Sequence, residues 1–209
     1  MSKVASVEEV FANYPELVNE NLIYSSDRIS SNKLSGNIFK KLFAHMKLKK
    51  YCTKFGENIQ VGKFVDIKAS DNAVLEIGNN AVLSDYCHLL LTKPNPHLYI
   101  GDNAYIGRGA IIACKEEISI GAFSLIGQFS QISDTSHNFK RNNLIKYQKS
   151  TCNPVSIGYD CWIGAGVKIF DGITIGNGVI VGANAVVTKD LPDYAIAVGC
   201  PAKIIGYRQ

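Results

Sequence analysis

Aliphatic residues recur every six positions through most of the chain. Nearly all are followed by Gly or a small residue, and a small or β-branched residue stands four places after each. The repeat includes Ile77-Gly78, Leu83-Ser84, Ile100-Gly101, Ile106-Gly107, Ile120-Gly121, Ile126-Gly127, Ile157-Gly158, Ile163-Gly164, Ile169, Ile175-Gly176 and Val181-Gly182. One side chain in six then points into a narrow prism, while Gly takes backbone conformations that other residues resist at the corners. Three hexads make a coil and stacked coils pair as parallel strands, so the pattern predicts an all-β parallel β-helix.

Two segments break this period. Residues 89–99 contain Pro94 and Pro96, which cannot donate to a strand ladder, so we expect a loop that bulges from the stack. Residues 134–154 are polar, and the repeat resumes at Ile157. Because long loops on a rigid scaffold often carry chemistry, this extruded loop is the first place to look for a site.

The first 56 residues lack the repeat and predict a helical extension. The capping pattern Ser6-Val7-Glu8-Glu9 starts a short helix over 7–13, and apolar residues at helical spacing predict an amphipathic helix over 38–50. We therefore divide the chain into an N-terminal helical extension, 1–56, and a β-helix domain, 57–209. The second unit includes the loop 134–154 and a C-terminal cap.

Charge is distributed unevenly along the chain. The net charge is +4, yet residues 28–56 hold eight basic residues and no acidic one. Two interpretations stay open: a solvated helix face, or a surface that meets a phosphorylated, lipid-linked or membrane-surface substrate. Nucleic acid is not expected, because the block lacks a recognisable binding motif. No apolar run reaches signal-peptide or membrane-span length, so we expect a cytoplasmic protein, in solution or at the inner face of the membrane.

The six cysteines are scattered without a C-x-x-C pair. Cys87, Cys114 and Cys161 lie inside apolar repeat segments, where a small buried thiol packs well. We interpret the cysteines as reduced and structural.

Three blocks near the C-terminus carry a family resemblance. They are Trp162-Ile163-Gly164-Ala165-Gly166, the run Val181-Gly182-Ala183-Asn184-Ala185-Val186-Val187-Thr188-Lys189-Asp190, and Gly199-Cys200-Pro201-Ala202-Lys203-Ile204-Ile205. In this order they resemble the hexapeptide-repeat O-acetyltransferases, which include galactoside, maltose, capsule and O-antigen acetyltransferases. The resemblance covers residues 77–207. It implies a left-handed coil, acetyl-CoA as co-substrate with no metal, a carbohydrate acceptor, and a homotrimer with active sites between subunits.

The same resemblance points to catalytic residues. His137 opens the extruded loop some 25 residues before Trp162, as the family pattern requires, and an imidazole titrates near neutral pH. It is the expected general base for a sugar hydroxyl. Asp134 either orients His137 or is a turn residue that caps the start of the loop. Trp162 lies, by resemblance, beside the acceptor or the pantetheine arm, although packing alone would also explain it.

Six further residues match positions near coenzyme A in the family. Ala165 and Ala183 match places where small side chains let the pantetheine arm approach the backbone. Thr188, Lys189 and Lys203 match positions near the nucleotide end, where an ammonium can meet phosphate. Arg208 is a looser candidate for phosphate. The alternative is that small residues are simply needed at corners and that the lysines are ordinary surface charges.

One departure from the family concerns the acceptor. Galactoside and maltose acetyltransferases carry an acceptor-binding asparagine about thirty residues before the histidine, whereas this chain reads Ile106-Gly107-Arg108-Gly109-Ala110 there. A galactoside-type pocket is therefore not expected. An enzyme of capsule or O-antigen polysaccharide biosynthesis fits better.

Three other functions remain as alternatives on the same fold. The nearest is an N-acetyltransferase acting on an amino-sugar nucleotide. A noncatalytic β-helix used for assembly would lack affinity for coenzyme A. A γ-class carbonic anhydrase would need histidines converging on zinc, which His88, His97 and His137 do not obviously provide.

Overall fold

The computed structural model describes Leu48 and residues 51–209, which form the predicted left-handed parallel β-helix. The helices predicted over 7–13 and 38–50 lie outside the described residues, except for Leu48, which is helical and buried. Residues 51–56 already lead into the coils, because the first strand begins at Lys54 and pairs with the next coil. No described helix is long and apolar enough to cross a membrane.

Three parallel faces build the prism. The first face contains β1 (Lys54–Phe55), β4 (Val74–Ile77), β7 (His97–Ile100), β10 (Glu117–Ile120), β15 (Val155–Ile157) and β18 (Thr174–Ile175). The second contains β2 (Gln60–Val61), β5 (Val82–Leu83), β8 (Tyr105–Ile106), β11 (Leu125–Ile126), β16 (Trp162–Ile163), β19 (Ile180–Val181), β21 (Ala195–Val198) and β22 (Lys203–Tyr207). The third contains β3 (Asp66–Ala69), β6 (His88–Leu91), β9 (Ile111–Cys114), β12 (Gln131–Ser133), β17 (Lys168–Ile169) and β20 (Val186–Val187). All these pairs are parallel except β21 with β22, which closes the C-terminal end.

The repeat aliphatics form the core. Ile120 pairs in register with Ile100 on one side and Ile157 on the other, and all three are fully buried. Burying each such side chain stabilises the fold by about 1.5–3 kcal/mol. The six-residue period therefore identifies, on every face, the column of repeat side chains that points into the core.

Corners join the faces and stack like the strands. The first corner leads from the first face to the second, the second corner from the second to the third, and the third corner to the next coil. At the second corner, the Phe129 amide donates to the Arg108 carbonyl at 2.9 Å and the Gly166 amide to the Gln128 carbonyl at 2.8 Å. These bonds place residues of successive coils directly above one another.

Both predicted interruptions lie at the third corner, but they differ from expectation. Strands β6 and β7 extend into the predicted loop 89–99, so just 92–96 leave the stack. The segment 134–154 is not irregular throughout. Its ends pair as an antiparallel hairpin of β13 (Thr135–His137) and β14 (Ser150–Cys152), with a 3-10 helix, Ile145–Tyr147, beyond it.

Candidate active site

The hairpin of β13 and β14 carries His137 away from the coil. His137 is the last residue of β13 and pairs with Ser150 of β14. Its side chain is exposed, and the described residues give its imidazole no hydrogen-bond partner. The imidazole is thus free to meet a molecule from outside this chain.

Asp134, where the hairpin leaves the coil, is fully buried. Its two carboxylate oxygens each accept the Lys115 amide at 2.9 Å, and one also accepts the Glu116 amide at 2.7 Å. The Thr135 hydroxyl donates to the same carboxylate at 2.9 Å. No hydrogen bond joins Asp134 to His137 among the described residues. The geometry favours the capping alternative over direct orientation of the imidazole.

A second carboxylate supports the hairpin from the following coil. Asp171 Oδ2 accepts the Ser136 hydroxyl at 3.2 Å and the Asn153 side-chain amide at 2.7 Å. Sequence reasoning missed this group. The available signal was Asp171-Gly172, a turn pair one coil beyond the loop.

The tip of the extruded segment is held by one side chain. Gln148 donates to the carbonyls of Lys140, at 2.9 Å, and Asn143, at 2.8 Å, and accepts the Lys140 amide at 2.8 Å. Nearer the strands, the Asn138 side chain donates to the Lys149 carbonyl at 2.7 Å. The segment beside His137 therefore has a defined shape set by its own polar contacts.

Ala165 and Ala183 stack at the second corner. The Asn184 amide donates to the Ala165 carbonyl at 2.8 Å, and a Cβ added to Gly164 would lie 2.6 Å from the Ala183 nitrogen. Ala183 is exposed. Lys203 is also exposed and pairs with Val198, whose side chain lies against the same corner at Gly182. These residues form a small-residue strip with one cation at its end.

Thr188 and Lys189 lie elsewhere, at the third corner. They follow β20 and precede Asp190, whose carboxylate accepts the Thr174 amide at 2.8 Å. Both side chains are exposed. They share this corner with the base of the His137 hairpin rather than with Ala165 and Ala183.

Trp162 and Arg208 line a groove of about 240 Å³ on the second face. Trp162 is 56% exposed and lies in register between Leu125 and Ile180. The Arg208 guanidinium donates to the Asp160 carboxylate at 2.8 Å and to the Gly178 carbonyl at 3.1 Å. A phosphate would have to compete with these partners, which weakens the expectation that Arg208 binds coenzyme A.

The two other histidines that the structure describes lie on separate faces. His88 on β6 is 3.7 Å from Asp66, and His97 on β7 is 3.6 Å from Glu76. Within the described part of the chain, no three His, Cys, Asp or Glu side chains group as a metal site would require. His88, His97 and His137 do not converge in one chain.

The cysteines agree with the structural interpretation. All six are free thiols, and Cys87, Cys114 and Cys161 are buried. Burial raises the pKa of Cys87 and of Cys161 to about 11, and it raises the pKa of Cys114 as well. These thiols are poor nucleophiles at neutral pH.

Comparison with known proteins connects this geometry to a family. A model described as the hexapeptide repeat of succinyl-transferase matches residues 154–189. A probable acetyltransferase of Mycobacterium tuberculosis is 38% identical over 151 residues, which cover 71% of this chain and 50% of that protein. The chain thus spans half the length of this relative.

Two Escherichia coli proteins are matched over more of their length. The putative colanic acid biosynthesis acetyltransferase WcaF is 34% identical over 133 residues, covering 64% of this chain and 69% of WcaF. The putative lipopolysaccharide biosynthesis O-acetyl transferase WbbJ is 30% identical over 159 residues, covering 72% of this chain and 69% of WbbJ.

A solved structure of an acyltransferase has a similar fold. A mutant of AntD, an N-acyltransferase from Bacillus cereus in complex with dTDP and coenzyme A, superposes with a TM-score of 0.68 at 26% identity. The match covers 79% of this chain and 89% of AntD. The resemblance and the acyltransferase class predicted from the sequence are confirmed. This chain belongs to the hexapeptide-repeat acetyltransferase family.

Proposed function

We propose that this chain is an acetyl-CoA-dependent O-acetyltransferase that modifies a sugar hydroxyl in cell-envelope polysaccharide biosynthesis. The observation that carries the proposal is the exposed, unbonded imidazole of His137 on a hairpin anchored by Asp134. WcaF and WbbJ, named for colanic acid and lipopolysaccharide biosynthesis, support the class of acceptor.

His137 acts as the general base. Its neutral imidazole accepts the proton of the sugar hydroxyl while the hydroxyl oxygen attacks the acetyl carbonyl, and a backbone amide stabilises the developing oxyanion. The carbon–sulfur bond then breaks, the acetyl group stays on the sugar oxygen, and the imidazolium of His137 gives its proton to the departing thiolate. No metal takes part.

Two copies of the chain complete each site. His137 extends from the third corner, whereas Ala165 and Ala183 lie at the second, and the third face separates the corners by up to about 20 Å of extended chain. A base and a thioester must come within hydrogen-bonding reach during transfer. A neighbouring copy brings them together in a closed ring, which we take to be the family's homotrimer.

Coenzyme A lies along the second corner in this proposal. Ala165 and Ala183 leave room for the pantetheine arm, and Lys203 at the end of the strip meets phosphate. Thr188 and Lys189, at the third corner of the neighbouring copy, contact the nucleotide end of coenzyme A. Trp162 borders the site on the second face, and Arg208 contributes after releasing Asp160.

The enzyme works in the cytoplasm, where acetyl-CoA is available, at the inner face of the membrane. The basic segment 28–56 supplies the attraction to an anionic surface. Cell fractionation tests this placement. Recovery outside the cytoplasmic membrane and the cytoplasm would contradict it.

N-acylation is the second candidate. AntD is an N-acyltransferase in complex with dTDP and coenzyme A, so an amino-sugar nucleotide remains a reasonable acceptor. A free imidazole favours a hydroxyl, because a neutral alcohol is a weak nucleophile that needs a base to accept its proton as it attacks, whereas a neutral amine is a stronger nucleophile.

The test is coenzyme A release from acetyl-CoA over a panel of hydroxyl sugars, amino sugars, nucleotide sugars and polysaccharide fragments. We expect His137→Ala to lose turnover by about a hundredfold or more while staying folded and oligomeric. His88→Ala, on the third face, is the matched control and should keep its activity. Full activity in His137→Ala would mean that another group acts as the base. No acetylation and no acetyl-CoA binding by the wild type would leave an assembly role as the better account.

A further inference from the structure

Three aromatic rings stand exposed along the second corner. Phe64 is 71% exposed, Tyr86 42% and Phe129 58%. The Phe64 and Tyr86 rings stack with centroids 5.1 Å apart and planes 23° apart. The Phe129 ring covers Gly109 so closely that an added Cβ there would meet it at 2.6 Å. The three rings thus form a strip that extends over four successive coils, with the Phe129 ring lying over Gly109 of the third coil.

The backbone beneath these rings has a positive φ, as it does beneath Phe123 and Tyr194 at the first corner. Phe64, Tyr86 and Phe129 have φ values of 57°, 61° and 58°. At the equivalent places in other coils the chain has Gly109, Gly166 and Asn184, which suit this conformation. Holding a bulky residue there costs on the order of 1–3 kcal/mol. Since the Phe64 and Phe129 rings remain mostly exposed, their burial within this chain offsets little of that cost.

A cation lies over the strip. The Arg108 guanidinium carbon is 5.1 Å from the Tyr86 ring centroid. None of the ion pairs among the described residues involves Arg108, and Asp85 on the preceding coil accepts the Lys63 amide at 2.7 Å. Stacking on the ring orients the guanidinium fork while leaving its donors free for an oxyanion.

We propose that this aromatic strip, Phe64, Tyr86, Arg108 and Phe129, binds an acceptor saccharide that carries a negative charge. The apolar face of a sugar ring stacks on the aromatic rings, and Arg108 pairs with a carboxylate or phosphate on the sugar. The assignment of this saccharide as the acceptor rests on the proposed function.

The position of the strip supports that role. Arg108 lies two coils from Ala165 on the same corner, a separation of about 10 Å at the usual strand spacing. An acceptor held here faces the thioester end of coenzyme A and the His137 of the neighbouring copy.

Binding of three probes tests the charge requirement directly. Ligand-observed NMR with methyl β-D-glucuronide, glucose 1-phosphate and methyl β-D-glucoside distinguishes a uronate carboxylate, a phosphate and a neutral sugar. We expect one anionic probe to bind at least about tenfold more tightly than the neutral one, the range of a charge-assisted contact. Equal binding of all three would overturn the proposal, even if the enzyme acetylates sugars.

Variants test whether the preference for an anionic sugar comes from the aromatic strip. Arg108→Gln should reduce the anionic-over-neutral binding ratio by about tenfold, and Tyr86→Leu should weaken every probe. Lys68→Gln, which removes a charge from the third face, is the control and should keep the ratio. Sedimentation analysis of each variant is needed: dissociation of the oligomer by Arg108→Gln or Tyr86→Leu would mean that the strip serves as a subunit contact rather than as a saccharide site, which contradicts the proposal.

Discussion

Both carboxylate oxygens of Asp134 lie 2.9 Å from the Lys115 backbone nitrogen, so the residue that starts the His137 hairpin is fastened to the preceding coil. Replacing Asp134 with Ala leaves two backbone amides and the Thr135 hydroxyl without this acceptor. We expect the free energy of unfolding to fall by about 2–5 kcal/mol in urea denaturation. Asp134→Asn keeps one acceptor oxygen and should lose less.

The pH dependence of kcat/KM separates this anchoring role from direct action on the base. If Asp134 works through the hairpin, Asp134→Asn should keep the midpoint of the wild-type profile. A displaced midpoint in a variant of unchanged stability would mean that Asp134 acts on the His137 imidazole.

Gln148 should control the shape of the extruded tip without affecting the coils. Gln148→Ala removes the side chain that bonds to Lys140 and Asn143. We expect faster amide hydrogen exchange over 140–147 and a higher acceptor KM, with a melting temperature close to wild type. Gln148→Glu, which keeps an acceptor but loses both donors, should be intermediate. Unchanged exchange in Gln148→Ala would show that other contacts hold the tip.

Core substitutions measure how much each coil contributes. Ile163 is fully buried and lies in register between Ile126 and Val181. Ile163→Ala should reduce the free energy of unfolding by about 2–5 kcal/mol, and Ile163→Val by about 0.5–1.5 kcal/mol. If Ile163→Ala lost less free energy of unfolding than the range expected for Ile163→Val, the result would contradict close packing inside the prism.

The thiols predict both reactivity and pH dependence. At pH 8 the exposed Cys200 should react first with a thiol reagent, while Cys87 and Cys161 react only after unfolding. Cys200→Ser should remove the fast phase alone.

Burial raises the pKa of Cys87 and of Cys161 from 9.0 to about 11. The folded chain therefore retains protons that the unfolded chain releases, so stability is full below pH 9 and falls as pH rises toward 11. Constant stability across this range would contradict their burial.

The fold could be predicted because its signal is local and repeated. Each hexad buries its repeat aliphatic residue, so the core columns through Ile120 and Ile163 follow from spacing alone. The small or β-branched residue four places later is buried as well, as Val167 is after Ile163, so more than one side chain in six points inward. Handedness came from the family resemblance, because periodicity does not report it. The hairpin was missed because polar residues at 135–137 and 150–152 have no strand-like apolar alternation.

The site was less predictable, because its contacts join distant parts of the sequence. Asp134 meets the Lys115 amide only after a whole coil has closed, and Arg208 meets Asp160 across 48 residues. The aromatic strip was hidden for a similar reason. Tyr86 and Phe129 look like ordinary repeat residues until the corners are stacked in register.

The most direct test of the shared site is complementation between two inactive variants. His137→Ala lacks the base. Ala183→Trp places a bulky side chain at an exposed position of the small-residue strip and should block the binding of coenzyme A there. When the two are co-expressed and mix at random in a trimer, one site in four receives an intact His137 and an intact Ala183. We therefore predict coenzyme A release at about a quarter of the wild-type rate, with neither variant active alone. Mixed oligomers no more active than the parents would contradict a site built from His137 of one copy and Ala183 of the next.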